Sequence, residues 1–153
     1  MLRRALARGP HRSPVTSNSM APLAREGDIF VIVPAGKRGP VFGDVVAAVA
    51  GSRAVVHRVV GKRLGFYVTK GDASPGFDPR VRRQDLLGRV RALQKSGGGT
   101  ISLDGARGRL VGAVLASLSL AEGIAGDVVS PPAILRRFFY LAARLVCLAL
   151  PAR

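Results

Sequence analysis

Between Gly27 and Gln94 the chain is cut by Gly, Asp and Pro into short apolar runs, and this punctuation limits what it can fold into. Gly27-Asp28 opens Ile29-Phe30-Val31-Ile32-Val33, which Pro34 and Gly36 close. Gly43-Asp44 opens Val45 to Ala50, ended by Gly51-Ser52; Ala54 to Val60 is a third run, ended by Gly61-Lys62. Phe66 to Thr69 and Leu86 to Leu93 are the fourth and fifth. Runs this short, rich in β-branched residues and bounded by turn formers, read as strands of a small sheet or barrel. Several are almost continuously apolar, which predicts burial on both faces or contact with a membrane.

At 153 residues the chain can build one core and leaves little for a second. The single Cys147 excludes an internal disulfide, and its apolar setting reads as a buried small side chain rather than a reactive thiol. The net charge is +15 and rests on arginine, since only Lys37, Lys62, Lys70 and Lys95 are lysines. Such an excess attracts a polyanion, either nucleic acid or an anionic membrane, or simply keeps an apolar protein soluble. The arginines are spread along the chain without interleaved aromatics to stack on bases, so nucleic acid is not the expected partner.

Residues 1–16 read as a basic arm. Arg3, Arg4, Arg8 and Arg12 stand there without an acid or the central apolar stretch that a secretory signal requires. The composition fits a transit peptide, but cleavage would then fall close to Ser19, and a short arm is the simpler reading. Residues 17–96 hold the β domain, and Gly97-Gly98-Gly99 breaks the chain before an apolar, helical extension over 97–153. Leu110 to Ala121 is apolar and small. Ser130-Pro131-Pro132 then gives a serine cap and a first-turn proline to a helix over Ala133 to Leu150, stopped by Pro151. At about 100° per residue, Arg136, Arg137 and Arg144 share one wedge of that helix, with apolar residues opposite. Neither segment has the roughly 20 uninterrupted apolar residues of a membrane span. The second suits lying in a membrane interface with its arginines toward the headgroups, or packing on the sheet as a core helix.

The candidate chemistry lies in Ser17-Asn18-Ser19-Met20-Ala21-Pro22, Val56-His57-Arg58-Val59 and Lys70-Gly71-Asp72. A serine hydroxyl attacks only when a base removes its proton, and the base works best when a third group orients it. Ser19 sits in a stiff, apolar setting, and Ser17 could offer a hydroxyl to an oxyanion together with the Ser19 N–H. Taken singly, both are turn or capping serines. His57 is one of two histidines, the other being His11 in the basic arm. A histidine between valines is more often a core residue, yet Arg58 follows it, which puts His57 on the opposite and more enclosed face of its strand. An imidazole with an ordinary pKa near 6.5 can be neutral at pH 7 and accept a proton. Asp72 and Asp78 follow in a turn-rich loop; either could hold the second imidazole N–H, or each could bond its own turn backbone.

In order, Ser-x-Ser-Met-x-Pro, Arg-x-Gly-Asp, Gly-Asp-Val-Val, Val-His-Arg-Val and Thr-Lys-Gly-Asp resemble the type I signal peptidases. The branch is the one with histidine as base, found in archaea, some bacteria and the endoplasmic-reticulum enzyme. The likeness covers about residues 17–79 and fades beyond Leu93. It implies a mainly β, signal-peptidase-like domain with C-terminal helical segments. It implies that Ser19 is the nucleophile, Ser17 the oxyanion-hole residue beside Ser19, and His57 the general base. Of the acidic pair six residues apart, it favours Asp78 as the carboxylate that orients His57 and Asp72 as a loop-structuring residue. The implied reaction is hydrolysis of a leader-peptide bond after small residues, with the substrate extended along a strand edge. No metal or organic cofactor is implied.

Asn18 stands where a glycine is common in that family, and only the basic arm precedes the serine where a membrane span is usual. The second departure leaves room for a maturation peptidase acting on one partner, held at the membrane by its C-terminal segment or by another protein; the alternative is a cytoplasmic location. Two rivals stand beside it. Self-cleaving repressor peptidases use lysine as base and carry a DNA-binding domain for which the stretch before Ser19 is too short. A basic binding module for lipid or nucleic acid would account for the charge but not for the five ordered motifs.

Overall fold

The computed structural model describes Leu6, residues 9–128 and residues 133–151. The strands are β1 (His11–Pro14), β2 (Ile29–Val33), β3 (Val45–Ala50), β4 (Arg53–Arg63), β5 (Phe66–Lys70), β6 (Val81–Arg82), β7 (Leu86–Gln94) and β8 (Thr100–Ser102). Two helices follow, α1 (Ala106–Val128) and α2 (Ala133–Cys147). All strand pairs are antiparallel, in the order β1-β2-β7-β3-β4-β5-β6, with β8 added to β7. The protein is therefore mainly β with C-terminal helices, and the five apolar runs are β2, β3, β4, β5 and β7.

The continuous apolar pattern of β3 has a simple cause: both of its faces are covered. Val45 and Ala47 join Phe30, Ile32, Val90 and Leu93 in one core, while Val46, Ala48 and Ala50 join Val59, Tyr67 and Leu86 in another. Irregular registers at Val31/Ile32, Ala47/Ala48 and Val59/Gly61 bend the strands that enclose these cores. Val111 and Leu115 of α1 enter the first core, as do Ile101 of β8 and Val15 beside β1. The core thus draws residues from the basic arm, the β domain and the C-terminal extension alike.

Three strands carry no apolar signal. β1 (His11-Arg12-Ser13-Pro14) pairs with β2 from His11↔Ile32 to Pro14↔Ile29, so Arg12 lies in the sheet, not in a free arm. Its sequence is that of an edge strand, where a terminal proline breaks no ladder. Arg3, Arg4 and Arg8 of that arm lie outside the described residues, as do Ser130-Pro131-Pro132.

The C-terminal expectations need two corrections. α1 outruns the apolar stretch Leu110 to Ala121 at both ends, and over Ala106–Ala125 it is long and apolar enough to cross a membrane by length and composition. It lies on the sheet with Val111, Leu115 and Ala116 buried. In α2 the residues opposite the arginines are two faces, not one. Ala143 is buried and Val146 and Cys147 pack on the core. Ile134, Phe138, Leu141 and Leu145, with Leu148 just beyond, form a stripe 55–78% exposed. α1 already covers the sheet, so α2 has core to meet on one side only.

Candidate active site

His57 reaches the site from the middle of β4, where it pairs with Val46 of β3. Its Nε2 lies 3.1 Å from Ser19 Oγ and its Nδ1 2.7 Å from Asp78 Oδ2. A carboxylate can only accept, so Nδ1–H donates to Asp78 and Nε2 is left as the acceptor for the Ser19 hydroxyl. Asp78 is held in turn. Thr69 Oγ1 donates to the same Oδ2 at 2.8 Å, and the Asp78 N–H donates to Thr69 O at 2.9 Å. His57 and Asp78 side chains are 11% and 15% exposed, which shields this chain of bonds from bulk water.

Ser19 is fixed from both flanks. Met20 is buried in the core, and the Ala73 N–H donates to Ser19 O at 2.8 Å. Gly71 packs against both Ser19 and His57. A Cβ there would stand 2.4 Å from Ser74 Oγ, 2.7 Å from Ser19 O and 3.0 Å from His57 Nε2. Ser17 Oγ lies 3.3 Å from Ser19 Oγ, so the two hydroxyls are within hydrogen-bonding reach of each other.

Asp72 does not reach His57. It takes both fork bonds of Arg58, from Nε at 2.7 Å to Oδ1 and from Nη2 at 2.6 Å to Oδ2, and accepts Ser119 Oγ at 3.2 Å. Arg58 also donates to Gly43 O at 2.8 Å. Of the two acids, Asp78 touches the imidazole, and Asp72 is tied to Arg58 instead. The reading of the two faces of β4 is corrected. Arg58 is 1% exposed and His57 9%, because the guanidinium is fully paired and can lie deeper.

No role was assigned from the sequence to Thr69, Arg58, Ser119 or Glu122, although Thr69 and Arg58 stand inside two of its motifs. Lys70 Nζ is bound to Glu122 Oε2 at 2.8 Å and to Gly71 O at 3.2 Å, and it is His57, not this nearby lysine, that contacts Ser19 Oγ. Cys147 is half-buried against the core rather than fully buried; desolvation, followed by the charge of Asp72, pushes its thiol up to about 11, which keeps it protonated at neutral pH. No group of three or more His, Cys, Asp or Glu placed to hold a metal occurs among the described residues.

A cleft of about 270 Å³ opens beside Ser19. Segment 13–17 forms one wall, Ala54 to His57 another, and Phe30, Ile32, Ala47 and Leu87 the floor. Arg53 to Arg58 pair with β3 on one edge, but the β5 ladder begins only at Arg58, so the other edge of Arg53–His57 has no strand partner among the described residues. Compared with protein families, curated proteins and solved structures, the chain has no significant match in any of the three.

Proposed function

We propose that this protein is a serine endopeptidase, resembling signal peptidase I, that cuts a leader peptide by a Ser19–His57–Asp78 mechanism. The observation that carries the reading is the unbroken run of hydrogen bonds from Ser19 Oγ through His57 to Asp78, itself fixed by Thr69. His57 Nε2 takes the hydroxyl proton as Ser19 Oγ attacks the scissile carbonyl. Asp78 stabilises the imidazolium that forms, and the proton then passes to the departing amine. The Ser17 hydroxyl, turning from Ser19 Oγ, and the Ser19 N–H face the oxyanion. Water then hydrolyses the acyl-enzyme by the same route.

The substrate is an extended peptide. It adds along the unpaired edge of Arg53–His57, which ends at the base. The cleft floor of Phe30, Ile32, Ala47 and Leu87 is apolar and the cleft volume is small, which supports a preference for small or aliphatic side chains before the cut bond. The protein works at a membrane. The support is the exposed stripe of α2 with Arg136, Arg137 and Arg144 on the same helix and no acid on it, a pattern suited to an anionic interface.

The test is cleavage of synthetic leader peptides, with Ser19→Ala and His57→Ala as controls. Each variant alone is expected to abolish turnover, because the two groups act as one unit. Unchanged turnover in either removes the mechanism. Sedimentation with anionic vesicles, weakened in Leu145→Glu, tests the location; a protein that stays in the supernatant overturns that part.

A further inference from the structure

Five consecutive residues connect the catalytic groups to helix α1. Thr69 holds the Asp78 carboxylate. Lys70, fully buried, binds Glu122 of α1 and turns its ammonium back onto Gly71 O. Gly71 abuts Ser19 O and His57 Nε2 with no room for a Cβ. Asp72 is gripped by Arg58 and by Ser119 of α1. Ala73 N–H holds the Ser19 carbonyl. Ser119 and Glu122 are three residues apart on α1 and therefore share one face. That face meets the loop at two successive points, on either side of Gly71.

A buried ion pair is a costly way to gain stability, since apolar residues of similar volume commonly do as well or better. Its value here is direction. The ammonium can be satisfied only where both Glu122 and Gly71 O are in reach, which fixes the loop in one place. We propose that Glu122, acting through Lys70, is a positioning residue for the Ser19–His57 pair, so that α1 is part of the catalytic unit. The inference rests on the peptidase reading given above.

Three forms of the full-length protein decide it, each compared with wild type for kcat, KM and thermal midpoint on a soluble leader peptide. Glu122→Asp keeps the charge and withdraws the carboxylate by one methylene. It is expected to lower kcat by between about tenfold and a hundredfold, with KM nearly unchanged. Lys70→Met/Glu122→Leu removes both charges. It is expected to melt at or above the wild-type midpoint while kcat stays low. Recovery of kcat together with the midpoint makes the pair merely structural and overturns the inference, as does a Glu122→Asp form with wild-type kcat. If the double variant does not fold, Glu122→Asp decides alone. Ser19→Ala is the third form: a wild-type protein as inert as Ser19→Ala refutes the peptidase reading itself, and the inference with it.

Discussion

Replacing Asp78 with asparagine separates the chemistry from the fold. Both His57 Nδ1, at 2.7 Å, and Thr69 Oγ1, at 2.8 Å, converge on Asp78 Oδ2. An amide oxygen in that place preserves both bonds, so the fold loses little. What disappears is the negative charge beside the imidazolium as it forms. At an effective dielectric of about 20, a unit charge at that separation is worth about 6 kcal/mol, part of which the amide dipole restores. The expected loss in kcat is therefore between about 10³- and 10⁴-fold, and an amide turned the other way, giving the wrong tautomer, lies at the upper end. Asp72→Asn reverses the pattern. It leaves the buried Arg58 without its counter-charge, at a cost of about 3–5 kcal/mol. For a chain of this size that lowers the thermal midpoint by roughly 10 °C, with a rate loss of no more than about a hundredfold. A fluorogenic leader peptide and a thermal melt on both variants read out the two effects. If Asp72→Asn proves the slower enzyme and Asp78→Asn is near wild type, the assignment of the orienting carboxylate is refuted.

Gly71→Ala is expected to stop turnover without exposing any buried charge, since the new methyl group meets Ser19 O and His57 Nε2; normal kinetics in a folded variant contradict this. Stability has an acid limb. Burial works to raise the Asp28 carboxyl, but hydrogen bonds from Lys95 and from the Arg25 and Ser96 N–H groups outweigh it and hold the group below its ordinary value. A depressed carboxyl stabilises the fold above its unfolded pKa, about 3.9, and that contribution is lost as pH falls through the folded value. Asp28→Asn should therefore lower the midpoint at neutral pH and flatten its acid dependence; parallel curves for the two proteins discount the Asp28 contribution.

The long apolar runs were legible because burial demands them. β2, β3 and β5 begin and end within a residue or so of their Gly, Asp and Pro punctuation, and β7 begins directly after Asp85. β4 runs on to Arg63, because its pairing with β5 needs backbone, not apolar side chains. β1, β6 and β8 are edge or short strands made of polar, proline-adjacent or glycine-flanked residues, and only the neighbour they pair with makes them strands. In the site, serine and histidine were visible as chemistry. The division of labour between the two aspartates was not fixed by spacing, because it depends on which one lies within reach of a guanidinium. Glu122 left no trace at all: it is 52 residues from Lys70 in the chain and meets it only through the packing of α1.

β4 sets the His57 contacts with Ser19 and Asp78 back to back with the buried Arg58–Asp72 pair, His57 and Arg58 being neighbours on opposite sides of one strand. Sliding that strand by a single residue would deliver a guanidinium where an imidazole belongs and strand Asp72 and Asp78 together. A misthreaded chain would therefore lose the His57–Asp78 contact and the Arg58–Asp72 pair in the same stroke.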